Sequence, residues 1–294
     1  MRYNNMKKIL TALMVFTLSI SVIGCSADQP VETNGTTKTT EASGTTTKTV
    51  ENKEIEVGVA FYPMKDILDL IAEDMKEDGY DLKVNEFTDY QAPNNLLNNK
   101  ELDANMIQHD YFLQSFNEAN DSELVTILPI YHATYALYSK EYTSLDEIPN
   151  GAVITLADDA TNRSRALYLL GQAELLTFKD NKTVGLTLED IETNPKNLKL
   201  DDQVPLTSLA QKYAETGMAV MYPTYAKSLE LEGDEQRLYV EKQDEVTENY
   251  AISLVSRKDN QDSPEIKALI KHLTSDKVRQ FLIDNYGWAS SPAF

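Results

Sequence analysis

The chain has 294 residues, of which 41% are hydrophobic, and a formal net charge of −20. Because this length exceeds what one hydrophobic core usually holds, we expect a folded protein of about two domains or lobes. So acidic a surface would repel phosphate backbones, which excludes nucleic-acid binding. It would also repel an anionic membrane, so any attachment to a membrane must be covalent or hydrophobic.

Residues 1–24 have the composition of a secretory signal peptide. Arg2, Lys7 and Lys8 precede the apolar run ILTALMVFTLSISVI, which ends in VIGC. Small or apolar residues directly before a cysteine match the bacterial lipobox, in which cleavage precedes the cysteine and its thiol carries diacylglycerol. The sequence therefore predicts a lipid anchor on Cys25 at the extracytoplasmic face of a bacterial cell membrane. The alternative is a stray cysteine near an uncleaved anchor. Because the chain has one cysteine, it forms no intramolecular disulfide.

Residues 25–53 predict a flexible tether. They are dominated by threonine, serine, glycine and charged residues. Such a segment cannot bury enough surface to offset the entropy lost on ordering it. The folded part is therefore expected to start near Glu54.

The next segment alternates strand and helix patterns. The predicted strands are EIEVGVAFY, YDLKVNEF and LDANMI. Between the first two lies MKDILDLIAEDMKEDG, a predicted helix with one apolar face formed by Ile67, Leu68, Ile71 and Met75. A short helix with Pro93 in its first turn follows the second strand, and another helix starts near Asp110 after the third. This βαβαβα order predicts an open, mainly parallel sheet.

A second alternating run predicts a second lobe. It contains the strand AVITLA, a helix from Asn162 to Leu176, an acidic and Asn-Pro-rich middle, the helix LTSLAQKYAE, and the strands MAVMY and RLYVEKQ. Two β-prone segments, TILPIYHATYALYS and NYAISLVSRKD, flank the run and are predicted to cross between the lobes. Two amphipathic helices in the tail should return to the first lobe. We thus expect an α/β, two-lobed fold, with one lobe from residues 54–131 plus 251–294 and the other from residues 132–250.

Acids and arginines crowd the start of the helix predicted from Asn162, in the stretch DDATNRSR. A guanidinium near a helix N-terminus adds a bidentate donor to free backbone amides, and both favour an anion. The arrangement therefore favours an anion at this end of the helix. Alternatively, Arg163 and Arg165 pair with Asp158 and Asp159 on a solvated face, and local physics does not distinguish the two arginines.

The sequence argues against an enzyme, a metal centre and a cofactor. Its histidines are His109, His132 and His272, with no HExxH or CxxC spacing for a metal. A G-x-S-x-G elbow for nucleophilic hydrolysis is also missing. A binding function is therefore predicted.

Five stretches of the chain are distinctive: FTDYQAPNNLLNNKELDANMIQHDYFL, LYSKEYTSLDEIPNGA, TNRSRALYLL, ETNPKNLKL and NYGWASSPAF. They resemble, in the same order, the NlpA or MetQ family of methionine-binding lipoproteins, and the likeness runs from about Glu54 to Phe294. The resemblance implies a two-lobed periplasmic-binding-protein fold, type II-like. It also implies a lipoprotein that passes a small amino-acid-like solute to an ABC permease and its ATPase.

The resemblance also implies a pocket. The family's carboxylate-clamping arginine falls on Arg165, next to Asn162. The aromatic wall "FQH" followed by tyrosine reads IQHDYF here, so His109 is retained while Ile107 and Phe112 replace family residues; Tyr90 matches as well. Taken alone, a histidine and aromatics after a strand are more often core residues, and that alternative stays open.

The side of the pocket that would hold an amino group departs from the family. Its asparagines within "INTNYA" and "YVNILV" are replaced by Tyr222, Thr224 and Ile252, and the asparagine of "PND" by Asp158. Losing these polar partners should weaken methionine binding by about several kcal/mol. Asp158 is expected either to face an ammonium group or to cap the helix. The predicted ligand is therefore a small carboxylate-bearing solute, namely an amino acid, a methionine-like compound or a small peptide. The alternative function is a surface sensor or adhesin without transport.

Overall fold

A computed structural model describes residues 52–231 and 236–294. The predicted signal peptide, Cys25 and all but the last two residues of the predicted tether lie outside these ranges. The first strand begins at Lys53, one residue before the expected start of the folded part. No helix in the described ranges has the length and apolar character needed to cross a bilayer.

Eight α-helices form in the described residues. Each of four begins behind a side-chain N-cap, which accepts a hydrogen bond from a free backbone N–H: His109 for α3, Asp159 for α4, Ser263 for α7 and Ser275 for α8. The helices are α1 (Met64–Glu77), α2 (Ala92–Asn98), α3 (Asp110–Asn120), α4 (Ala160–Gln172), α5 (Leu209–Thr216), α6 (Pro223–Lys227), α7 (Pro264–Leu273) and α8 (Asp276–Tyr286).

The larger of two main sheets has six strands in the order β13-β4-β12-β3-β1-β2. β1 is parallel to β2 and β3, whereas β12 runs antiparallel to β3 and β4. Its strands are β1 (Lys53–Val59), β2 (Tyr80–Glu86), β3 (Ala104–Gln108), β4 (Leu124–Ala133), β12 (Ile252–Arg257) and β13 (Ser290–Pro292).

The other main sheet has five strands in the order β11-β5-β10-β6-β9, with β6 parallel to β9 and β10 and with β5 antiparallel to β10 and β11. The strands are β5 (Ala136–Ser139), β6 (Val153–Ala157), β9 (Lys199–Val204), β10 (Met218–Met221) and β11 (Arg237–Val240). A separate antiparallel pair joins β7 (Thr177–Phe178) to β8 (Ile191–Thr193).

Each sheet is the centre of one lobe of a two-lobed α/β fold. Helix α1 contacts α7 and α8 in the first lobe, and α4 and α5 pack on β6 in the second. As the apolar periodicity predicts, Ile67, Leu68, Ile71 and Met75 of α1 are all fully buried. The chain crosses to the second lobe between β4 and β5, and returns between β11 and β12 through a segment containing a 3-10 turn at Thr247–Tyr250.

The boundaries of α4 and several short elements differ from the sequence prediction. α4 begins two residues earlier than Asn162, because Asp159 caps it, and ends at Gln172 rather than Leu176. Glu174 then adopts a positive φ of 58°, which breaks the helical path. The acidic and Asn-Pro-rich middle, to which no strand was assigned from the sequence, contains β7, β8 and β9, and the predicted strand RLYVEKQ ends at Val240.

Three buried amide side chains join α2 to β3. Asn94 and Gln108 exchange two hydrogen bonds, with the Asn94 Nδ2 to Gln108 Oε1 distance at 2.7 Å and the Gln108 Nε2 to Asn94 Oδ1 distance at 2.6 Å. Asn105 Nδ2 also donates to Asn94 Oδ1 at 2.8 Å. Because each amide finds both donors and acceptors here, the polar groups are buried without loss of their hydrogen bonds.

Candidate functional site

A cavity of about 50 Å³ lies between the two lobes. This is room for a few water molecules, so a larger ligand requires the lobes to move apart. Residues from both lobes line the cavity: Phe61, Met64, Tyr90, Ile107, Gln108, His109, Phe112, Tyr131, Ala133, Asn162, Leu206, Tyr222, Thr224, Tyr225 and Ile252.

Most residues expected at the binding site line this cavity. Eight of the ten expected residues do so: Tyr90, Ile107, His109, Phe112, Asn162, Tyr222, Thr224 and Ile252. Arg165 and Asp158 are not among the lining residues. Arg165 lies buried behind the cavity wall, and Asp158 is exposed to solvent.

The N-terminus of α4 is held by Asp159 rather than Asp158. Asp159 Oδ1 accepts from the backbone N–H of Asn162 at 2.9 Å, and both Asp159 oxygens accept from Asn162 Nδ2. This fixes the amide of Asn162 so that its Oδ1 faces Tyr222 and accepts from the Tyr222 hydroxyl at 2.7 Å. The alternative role of Asp158 as the helix cap is therefore taken by its neighbour.

The guanidinium of Arg165 forms a bidentate ion pair with Glu241. Arg165 Nε donates to Glu241 Oε1 at 2.9 Å and Nη2 to Glu241 Oε2 at 2.5 Å. The side chains are 1% and 3% exposed, respectively. Burial disfavours the charged guanidinium, but the charge and hydrogen bonding of Glu241 together with the neighbouring Tyr222 and Tyr135 outweigh burial and raise the pKa of Arg165. A ligand carboxylate could therefore use these two donors only by displacing Glu241.

Aromatic rings surround the same guanidinium. The rings of Tyr135 and Tyr250 each lie with their centroids 4.8 Å from Arg165 Cζ, and that of Tyr222 lies at 5.2 Å. Such cation–π contacts stabilise a buried cation. This packing excludes the alternative in which Arg165 lies on a solvated face.

Arg163 has different surroundings, although it is only two residues away. Its Nη1 lies 3.2 Å from Asp202 Oδ2 and 3.4 Å from the backbone oxygen of Asp158. Neither arginine pairs with the carboxylates of Asp158 or Asp159, in contrast to the ion-pair alternative.

His109 is buried and directs one ring nitrogen into the cavity wall. Its Nδ1 accepts from the backbone N–H of Phe112 at 3.2 Å, which places the proton of the neutral ring on Nε2. Nε2 has no hydrogen-bond partner among the described residues. Burial and the charge of Arg165 lower the pKa of His109 to about 3, although a weaker contribution from Asn162 opposes them. His109 is therefore a neutral donor at physiological pH.

Sequence reasoning missed several residues of the site. Glu241 is 76 positions from Arg165 along the chain, and no local motif marks it. Tyr225 lies three residues after Tyr222 on the short helix α6, and this spacing could have placed both on one face. Phe61, Met64, Tyr131, Ala133 and Leu206 are apolar or aromatic residues of predicted strands and helices, a pattern equally typical of the core.

The chain is similar to known proteins along nearly all of its described length. The family model of the NlpA lipoproteins matches residues 55–294. The methionine-binding lipoprotein MetQ of Bacillus subtilis (strain 168) is 36% identical over 245 residues, which cover 82% of this chain and 88% of that protein.

Solved structures share the fold. A nutrient-binding protein from Burkholderia cenocepacia bound to methionine has a TM-score of 0.76 and 28% identity, and the match covers 82% of this chain and 100% of that one. A periplasmic substrate-binding protein of an ABC transporter from Coxiella burnetii has a TM-score of 0.75 and 28% identity, covering 81% and 99% of the two chains. The chain therefore belongs to the NlpA lipoprotein family and has the fold of its substrate-binding members.

Proposed function

We propose that this protein is the extracytoplasmic solute-binding lipoprotein of an ABC importer, and that it binds a small solute between its lobes. The main support is the cavity between the lobes, which places two unpartnered hydrogen-bonding groups, His109 Nε2 and the Tyr225 hydroxyl, against apolar walls. Ligand sites typically combine a largely apolar lining with a few directed polar groups.

The class of solute follows less directly. The relatives' names point to methionine, and the sequence predicts a carboxylate-bearing amino acid or small peptide held by Arg165. In the described geometry that carboxylate would have to replace Glu241 on the guanidinium. Polar groups that could receive an ammonium are also sparse, since Ile252 and Thr224 stand where the sequence resemblance would place amides. We therefore expect weak binding of L-methionine.

Native mass spectrometry of the full chain, purified in mild detergent, tests the proposed function. Binding proteins that close around a solute often retain it, so a discrete non-covalent adduct of small mass is expected. Release of that mass on denaturation, followed by its identification, gives the solute directly. If neither an adduct nor stabilisation by any solute from a bacterial extract is found, the sensor or adhesin function gains support.

The importer function requires a membrane anchor and a transporter. We propose Cys25 as the anchor, and a permease with its ATPase as the partners that receive the solute. Replacing Cys25 by serine should abolish incorporation of labelled palmitate and release the protein from the membrane fraction. Continued labelling of Cys25→Ser would contradict the lipoprotein assignment of this residue.

A further inference from the structure

We propose that Tyr222 determines the specificity of the cavity. Together with Glu241, it blocks access of a solute to the guanidinium of Arg165. The cavity therefore binds an uncharged solute that carries hydrogen-bond acceptors. The proposal rests on the proposed solute-binding function and names the class of solute. It differs from the carboxylate-bearing solute that the sequence predicts.

The first step is the hydrogen bonding of Arg165. A guanidinium has five N–H groups. Four of them have acceptors here: Glu241 takes two, Tyr222 Oη accepts from Nη1 at 3.0 Å, and the backbone oxygen of Ala133 accepts from Nη2 at 3.2 Å. Tyr222 and Ala133 line the cavity, whereas Arg165 does not. The cavity-facing side of the guanidinium is therefore already covered by the protein.

Tyr222 is held firmly in this position. Its hydroxyl accepts from Arg165 and donates to Asn162 Oδ1, and its ring lies 4.5 Å from that of Tyr135 between centroids. Burial raises the pKa of Tyr222 to about 12, although Arg165 opposes this shift. Tyr222 is thus a neutral phenol that separates Arg165 from the solute.

The second step is the charge of the lining. None of the lining residues is lysine, arginine, aspartate or glutamate. His109 is neutral because its pKa is lowered to about 3 by burial and by Arg165. Behind the wall, the guanidinium of Arg165 is paired with the carboxylate of Glu241. A solute carboxylate or ammonium would therefore leave water without meeting an opposite charge, which is strongly unfavourable.

Acidic groups outside the lining disfavour an anion further. Burial, followed by the charges of Asp159 and Asp158, raises the pKa of Tyr90, so the negative potential of these carboxylates reaches this lining residue. The same potential would raise the energy of a solute carboxylate beside Tyr90. No cationic side chain among the described lining residues offsets this repulsion.

The third step is the set of free donors. His109 Nε2–H and the Tyr225 hydroxyl are buried and have no partner among the described residues. A buried donor without an acceptor is costly, so a bound solute that supplies carbonyl or ether oxygens would satisfy both groups. The ring of Tyr90 packs against the rings of Phe61 and Phe112, and these three lining residues suit an apolar part of the solute.

A set of four probes with one side chain and different charges tests the proposal. The probes are N-acetyl-L-methioninamide (uncharged), N-acetyl-L-methionine (anionic), L-methioninamide (cationic) and L-methionine (zwitterionic). Thermal shift and calorimetry are measured on the full chain in detergent. We expect the uncharged probe to bind more than about tenfold more tightly than the other three, because burying an unpaired charge costs at least a few kcal/mol.

Two variants locate the effect. Tyr222→Asn removes the ring that covers Arg165 and should improve binding of the anionic probe by about tenfold or more. Tyr222→Phe is the matched control, because it keeps the ring and removes only the hydroxyl; it should still reject the anionic probe. Circular dichroism and unfolding midpoints show whether each variant is folded.

The outcomes separate this inference from the proposed function. If the wild-type protein binds the anionic or zwitterionic probe as tightly as the uncharged one, the inference is wrong while solute binding stands. If no probe binds, the charge of the solute that copurifies with the wild-type chain decides: an ionised solute overturns the inference and an uncharged one supports it. If no probe binds and no solute copurifies, the proposed function and the inference both fail.

Discussion

Arg163 and Arg165 lie two residues apart on α4 in very different surroundings. The Arg163 side chain is 21% exposed and pairs with Asp202, whereas that of Arg165 is 1% exposed and pairs with Glu241. Positions two apart on a helix point in different directions, so one arginine reaches the surface and the other the interior. The comparison teaches that burial, and not the motif containing both residues, decides what each charge can do.

The largest effect is expected at the buried arginine. Arg165→Ala leaves Glu241 buried without its cation and should lower the free energy of unfolding by about 3–5 kcal/mol. Urea denaturation followed by circular dichroism measures this loss. In the control variant Arg165→Met with Glu241→Leu, both charges are replaced, so most of the stability should return. A loss below about 1 kcal/mol in Arg165→Ala would show that the pair is not buried as described.

The next effect concerns His109, whose pKa is lowered by burial and by Arg165 to about 3. The unfolded chain binds a proton at this histidine near pH 6.5, while the folded chain does not. Stability should therefore fall as the pH drops below about 6.5, by about 1.4 kcal/mol per pH unit from this group, until about pH 3. His109→Asn keeps an N-cap for α3 and removes the titrating ring. Unfolding curves at pH 7 and pH 5 should thus differ by about 2 kcal/mol less in the variant than in the wild type. Equal pH dependence of the two proteins would mean that the pKa of His109 is the same in the folded and unfolded states.

A smaller effect should separate the two adjacent acids before α4. Asp159→Ala removes the N-cap and the carboxylate that positions Asn162, so a loss of about 1–2 kcal/mol in unfolding free energy is expected. Asp158→Ala is the matched control, because Asp158 is exposed and should change stability by no more than about 0.5 kcal/mol. Equal losses in the two variants would contradict the assignment of the cap.

The smallest effect is expected at Arg163. Its ion pair with Asp202 is partly exposed, so Arg163→Ala should cost about 1 kcal/mol or less. Raising the salt concentration should reduce the difference between variant and wild type, since surface charges are screened. Solute binding should not change. A loss as large as that of Arg165→Ala would remove the contrast between the two arginines.

The sequence predicted elements whose periodicity is strong. α1 was recognised from apolar residues that recur on one helical face, and the strands before and after it from runs of alternating or continuous β-prone residues. β9, with the sequence KLDDQV, was missed because it carries two adjacent acids, which are uncommon in strands. Its strand character comes from pairing with β6, which local propensity does not reveal.

The binding site was predicted only in part, because some of its contacts join residues that are far apart in the sequence. The resemblance to the NlpA or MetQ family predicted His109 and Asn162 as site residues, and both line the cavity. The partner of Arg165 could not be predicted, because Glu241 approaches it only through the folding of the second crossing segment. The cluster of charges in the sequence therefore suggested, as one alternative, that Arg165 pairs with Asp158 or Asp159. In the folded chain the carboxylate of Glu241 pairs with Arg165 instead.

The three amides that join α2 to β3 have a consequence for how the first sheet assembles. Every residue of β3 is buried, so an apolar pattern alone would penalise a shifted pairing only weakly. Asn105 and Gln108 make a shifted pairing unfavourable. A slip of β3 by one residue would move Asn105 to the opposite face of the sheet and would leave Asn94 without its hydrogen-bond partners. These amides therefore favour one register during folding, namely the alignment of β3 with β1 and β12 in which all three amide side chains are hydrogen-bonded.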